Sequence, residues 1–143
     1  SYASLVKALG EKHIAALESD RGGFVPRGFG VDGSDAQVAF LQTIAPLYKD
    51  YDLHVFEKGY GGVDIGPLKE QYPGIPLFGF VPDSQRYFDY HHTPDDTLDK
   101  IDPAQLRQNV AVWTQVVGIL ANEESAILTG GVVPSAPPIM QNR

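Results

Sequence analysis

The chain has 143 residues, 43% of them hydrophobic, which is enough for one domain with its own core and argues against general disorder. Its 11 basic residues against 18 acidic ones leave a formal charge of -7 and no arginine-rich run, so a nucleic-acid-binding stripe is excluded. No apolar run approaches the ~20 residues that a membrane helix needs, no charged leader precedes an apolar one, and a soluble chain is expected; with no cysteine, any metal must be held by His, Asp or Glu.

In chain order, residues 4–12 read as the end of a helix stopped by Gly10, and residues 13–17 as a short buried strand. Residues 20–33 carry five glycines and Pro26, and are expected to form a loop over the sheet edge. Ser34 with Gln37 makes a capping box for a helix with Val38, Leu41, Ala45 and Tyr48 at helical spacing, which Pro46 ends early. A strand at residues 53–56, a glycine turn at 59–62, a short helix at 67–72 closed by Pro73-Gly74 and an apolar strand at 75–81 follow. Asp102-Pro103-Ala104-Gln105 opens a long helix with Leu106, Val110, Trp113, Val117 and Leu120 on one face. Helices alternating with short apolar strands predict an α/β domain, layered α/β/α with a mostly parallel or mixed sheet. It spans residues 1–125; residues 126–143, rich in Gly and Pro, make a separate tail.

The chemistry concentrates in His91-His92-Thr93-Pro94-Asp95-Asp96-Thr97, where two imidazoles are followed by two carboxylates and a hydroxyl. A zinc centre uses that combination, although a histidine pair before a turn is more often a hydrogen-bonding device. A second candidate is Glu18-Ser19-Asp20, where an apolar strand ends on acids before Gly22-Gly23; the alternative is solvated strand-end and loop acids. Asp64 either caps the helix after it or belongs to the site. His13 and His54 stand singly beside apolar residues and read as structural. There is no Gly-x-Ser-x-Gly elbow, P-loop or Gly-x-Gly-x-x-Gly fingerprint, so serine nucleophiles and nucleotide binding lack a motif.

Taken in order, Ala15-Ala16-Leu17-Glu18-Ser19-Asp20, Gly61-Gly62-Val63-Asp64-Ile65 and the stretch from Tyr87 to Ile101 resemble the C-terminal half of the M28 zinc aminopeptidases and carboxypeptidases, most nearly the carboxypeptidase Q-like branch. The resemblance covers residues 1–125. It implies a zinc exopeptidase-like fold and two zinc ions that polarise a scissile carbonyl and activate a bridging water. It makes Asp20 a ligand of one zinc and His92 a ligand of the other, and gives His91 a hydrogen bond to the developing oxyanion. Asp96 and Thr97 then hold the His92 turn, with Glu18 and Asp64 also around the ligands. If the alignment shifts by one, His91 and His92 exchange roles.

The same resemblance exposes a gap. Relatives supply a His-x-Asp element and a Glu-Glu pair upstream, and neither has a counterpart here. A catalytic zinc takes about three protein ligands plus water. The chain is therefore expected to be the C-terminal fragment of a dizinc exopeptidase, inactive and weak or empty in zinc by itself, with an uncovered sheet edge or face. Its expected partners are a peptide substrate and the missing N-terminal half, with self-association as a result of the open surface. The alternative is a non-catalytic peptidase-like scaffold; a glutaminyl cyclase chemistry on the same fold ranks third. An aminopeptidase is expected ahead of a carboxypeptidase, and a periplasmic or secreted location follows from the resemblance alone. Phe24, Phe29, Tyr60 and Tyr87 either line a pocket for the free terminus or pack the core and loops.

Overall fold

The computed structural model describes residues 2–123 and Leu128. The chain opens with helix α1 (Tyr2–Ala8), strand β1 (Ala16–Glu18) and strand β2 (Pro26–Asp32). Helix α2 (Asp35–Ile44) follows and tightens into a 3-10 helix over Ala45–Tyr51; then come strand β3 (Val55–Lys58), helix α3 (Pro67–Gln71) and strand β4 (Leu77–Pro82). A single turn of helix, α4 (Tyr87–Tyr90), a 3-10 turn at Leu98–Lys100 and the long helix α5 (Pro103–Asn122) complete the described elements.

The strands form one sheet in the order β1-β4-β2-β3. Strand β1 runs parallel to β4 and β2 parallel to β3, while β2 and β4 are antiparallel, so the sheet is mixed. Strand pairing sorts the side chains by face. Phe78 lies opposite both Leu17 and Val31, and Phe29 opposite both Phe80 and Phe56. That face is covered by α2, the 3-10 helix after it and α5, through Leu41, Tyr48, Val112 and Val116, all fully buried. Burying each such large apolar side chain contributes about 1.5–3 kcal/mol. Trp113 reaches the same layer, its ring centroid 6.1 Å from Phe29 and 5.7 Å from Phe80. On the opposite face, Ala16 and Leu77 are covered by α1 and α3 through Ala3, Val6 and Leu68. This is the α/β/α layering that the sequence predicts.

The capping box forms as expected: the Gln37 amide donates to Ser34 Oγ at 3.3 Å and the Ser34 amide to Gln37 Oε1 at 2.7 Å. Gln37 is only 2% exposed, and its side-chain amide also donates to the carbonyls of Gly74 and Leu128, at 2.7 and 2.6 Å. Leu128, which the expected boundary assigns to the tail, is fully buried in the larger core; the other residues of that tail lie outside the described residues. Pro46, lacking a donor, falls where α2 gives way to the 3-10 helix, which ends on Asp52 in the left-handed region at φ 57°. His13 packs 4.7 Å from the Tyr72 ring and joins α1 to the end of α3, in keeping with a structural role. His54 Nδ1 lies 3.1 Å from the Asp52 carbonyl oxygen.

Three expectations are corrected. The stretch 20–33 is not all loop, because residues 26–32 form β2, which lies between β4 and β3. Its glycines are close-packing positions: Gly28 has φ 145°, and a Cβ there would collide with the Val55 carbonyl of β3. The buried face of α5 is Asn109, Val112, Val116 and Leu120, whereas Leu106, Val110 and Val117 are exposed. The helix carries two apolar stripes at helical spacing, and the polar Asn109 disguises the inner one. Strands β1 and β3 begin later than expected, at Ala16 and Val55, since His13 and Leu53 precede the paired residues.

Candidate functional site

The C-terminal ends of the parallel pair β1 and β4 bring the two sequence motifs together. Strand β1 ends at Glu18, and Ser19 and Asp20 run on from it. From β4 the chain passes through Asp83, whose amide donates to the Val25 carbonyl at 2.7 Å, into α4 and then to His91. Crevices outside the carboxyl ends of strands are the usual ligand sites of α/β sheets.

Two cavities meet there. A cleft of about 710 Å³ opens over the part of the sheet face that α1 and α3 leave uncovered, lined among others by Glu18, Asp20, Arg21, Tyr60, Tyr87 and His91. A smaller one of about 180 Å³ is lined by Asp20, Phe24, His91, His92, Asp96 and Ile101 with their neighbours. Asp20, Tyr87 and His91 border both. Of the aromatics singled out in the sequence, Tyr60 and Tyr87 line the large cleft and Phe24 the small one, while Phe29 is a core residue.

The histidines sit in a three-ring stack. His91 lies 4.6 Å from the Tyr87 ring at 25° between planes, and 3.8 Å from His92 at the same angle. His91 terminates α4, its amide donating to Tyr87 O at 2.9 Å. His92 turns the chain with φ 55°, a left-handed conformation that is uncommon outside glycine. The turn beyond is self-bonded: Thr93 Oγ1 donates to Tyr90 O at 2.8 Å and accepts from the Asp95 amide at 3.2 Å, and the Asp96 amide donates to Thr93 O at 3.1 Å.

Thr97 faces both ways along the chain, its amide donating to Asp95 O at 2.9 Å and its hydroxyl lying 3.3 Å from the same oxygen. Its hydroxyl is bonded to Asp99 Oδ1 at 2.5 Å, and Lys100 Nζ reaches Asp99 Oδ2 at 2.6 Å. The Lys100 ammonium and the Thr97 hydroxyl together hold the Asp99 carboxyl down to about 2. Asp96 borders the small cavity without a hydrogen bond to either imidazole.

Asp64 does not cap α3, because its N-cap is Gly66 and carries no side-chain cap bond; Asp64 is exposed and lines neither cavity. Its backbone is instead engaged. The Glu18 carboxylate accepts from the Asp64 amide at 2.9 Å and the Ile65 amide at 3.1 Å. Sequence reasoning missed this role because only tertiary packing brings residue 18 to residues 64 and 65.

The metal expectation meets a limit. Among the described residues, no group of three or more His, Asp or Glu side chains converges to hold a metal ion. The donors among the described residues do not by themselves fit a zinc centre.

No family model matches the chain. Carboxypeptidase Q of Bos taurus is 29% identical over 126 residues, 88% of this chain and 26% of that protein. Carboxypeptidase Q of Mus musculus is 31% identical over 127 residues, with the same coverage of each. The crystal structure of a peptidase M28 precursor from Shewanella amazonensis superposes with a TM-score of 0.74 at 32% identity, over 95% of this chain and 29% of that one. The chain thus spans about a quarter of the length of the curated relatives that it matches.

A mixed α/β sheet with Asp20 and the histidine pair at one crevice, matched over nearly its whole length by an M28 structure, defines a metallopeptidase-like domain, and the chain belongs to the M28 peptidase family. Within that family it is carboxypeptidase Q-like. The relatives carry the name carboxypeptidase, which lends no support to the aminopeptidase expected from the sequence. No described helix is long and apolar enough to cross a membrane.

Proposed function

We propose that this chain is the C-terminal part of a dizinc exopeptidase, with Asp20 giving one ligand to one zinc and His92 one ligand to the other. The remaining donors lie outside the described residues, in an N-terminal half that is the natural partner of the open sheet face. The observation that carries this reading is the small cavity, which Asp20 and the histidine pair line together although they come from the ends of two different elements. His91, held between Tyr87 and His92, is the donor we assign to the developing oxyanion. Asp96 and Thr97 steady the turn, Asp96 through its amide, which donates to Thr93 O, and Thr97 through its hydroxyl, which reaches Asp95 O and Asp99. Likeness to carboxypeptidase Q favours the carboxyl end of a peptide as the end attacked. A secreted or periplasmic location rests on the same likeness.

The experiment is zinc analysis and peptidase assay on the full-length gene product and on this chain alone. The full-length protein should hold two zinc ions and cleave short peptides; this chain should do neither. Asp20→Ala and His92→Ala in the full-length protein should each remove a zinc and abolish cleavage. A full-length protein that neither binds zinc nor cleaves any peptide is a scaffold, and the proposal fails.

A further inference from the structure

We infer that Glu18 is a positioning residue for the substrate-binding wall, acting through the loop at residues 59–66 rather than through the metal; this rests on the exopeptidase reading above. Glu18, Gly79, Gly30 and Glu57 occupy one row across the sheet, since Glu18 pairs with Gly79, Gly79 with Gly30 and Gly30 with Glu57. The two central positions of that row have no side chain. The loop lies directly on them: a Cβ on Gly79 would collide with the Tyr60 carbonyl, and one on Gly30 would stand 3.3 Å from the Gly59 Cα. The fit is reciprocal, because a Cβ on Gly61 would collide with the Leu77 side chain of β4 and one on Gly62 with the Glu18 carboxylate. Glycine on both surfaces removes the side chains that would otherwise hold loop and sheet apart.

A flat seat of this kind fixes height but not lateral position. Glu18 supplies the lateral lock, one carboxylate oxygen accepting from two consecutive amides, those of Asp64 and Ile65. Charge-assisted bonds of this sort are about twice as strong as neutral ones. What the lock holds is functional surface. Tyr60 and Val63, 64% and 65% exposed, stand on this loop and line the large cleft beside Arg21 and His91. Because Asp20 follows Glu18 by two residues, one strand end carries both the proposed zinc ligand and the clamp on the wall. Strand β1 thereby sets the lateral spacing of wall and ligand, while β2 and β4 set the height of the loop.

The test uses the full-length gene product. Glu18→Ala should raise KM about tenfold for a good peptide substrate with kcat changed less than about threefold and zinc content unaltered. Glu18→Gln, which keeps one acceptor oxygen, should recover most of that loss. If Glu18 acts through the wall, Glu18→Ala and Tyr60→Ala should be non-additive, the double variant having the KM of the worse single one. Additive KM effects, or a fall in kcat with loss of zinc, would overturn the inference. Amide exchange read by mass spectrometry over residues 59–66 decides the clamp without catalysis: protection should fall in Glu18→Ala and stay in Glu18→Gln. Equal exchange in Glu18→Ala and the parent protein overturns the inference whatever the peptidase assay gives. A parent protein without peptidase activity overturns the exopeptidase reading, and with it the wall's role, even where the exchange data uphold the clamp.

Discussion

Arg27 and Asp83 form an ion pair, Nη2 to Oδ2 at 3.4 Å, that ties the start of β2 to the residue at which the chain leaves β4 for the histidine pair. The same guanidinium reaches Asp52 at 2.8 Å through Nη1. Asp52 is 83% exposed, so its share is small, whereas Arg27 and Asp83 are 26% and 34% exposed and less screened. Arg27→Ala should cost about 1–2 kcal/mol in denaturant unfolding of the full-length protein, mostly from the Asp83 carboxylate left without its partner. Asp52→Asn, which keeps a side chain suited to the left-handed backbone at that position, should cost under about 0.5 kcal/mol.

Tyr48 is fully buried and its hydroxyl has no hydrogen-bond partner among the described residues. Burial pushes the phenol up to about 12. An unpaired buried hydroxyl costs about 1–3 kcal/mol, so Tyr48→Phe should leave stability unchanged or raise it by about 1 kcal/mol. The pH dependence has a definite sign. In the unfolded chain the phenol ionises near 10, in the folded one near 12, so its contribution is full below pH 10 and falls as pH rises from 10 to 12. Urea unfolding across that window should show a decline in the parent protein that Tyr48→Phe reduces.

How much of this was legible in the sequence depended on whether the signal was local. The Ser34–Gln37 box and the Asp102 cap, which accepts from the Ala104 amide at 2.7 Å, are set by neighbours in sequence and were read correctly. Strand β2 was hidden because Arg27-Gly28-Phe29-Gly30 has the composition of a loop, and its glycines answer to Val55 of β3 and to Gly59 in the loop after it, far along the chain. The inner face of α5 was hidden by Asn109, and the use of Glu18 by the distance in sequence to its amides. Each miss is a case of tertiary packing overriding a local pattern.

The Asp102 cap carries its own expectation. Its carboxylate accepts from the Ala104 and Gln105 amides at the start of α5, at 2.7 and 3.4 Å, with Pro103 at the first helical position. Asp102→Ala should cost about 1 kcal/mol, and Asp102→Ser should restore most of it. Thermal unfolding of the full-length protein checks both.

The turn after the histidines should report its own chemistry. Asp99 is held down to about 2 by Lys100 and Thr97, from an ordinary value near 3.8. A depressed carboxylate stabilises the fold above its unfolded value and loses that contribution as pH falls, here between about 4 and 2. A carboxyl-carbon NMR titration should find the Asp99 midpoint near 2 and move it toward 3.8 in Lys100→Ala.

His92 answers to two demands, its imidazole and its backbone, and two substitutions separate them. At φ 55° a residue with a Cβ is strained by about 1–2 kcal/mol, and glycine is not. His92→Ala keeps the strain and loses the ring, whereas His92→Gly loses both. In the full-length protein the glycine variant should therefore be more stable than the alanine variant by about 1 kcal/mol, once its greater unfolded-state freedom is counted. If the ring is there to bind metal, both variants should lose the same zinc and the same activity despite that difference. A glycine variant that regained activity along with stability would mean that the turn, not the imidazole, is what residue 92 supplies.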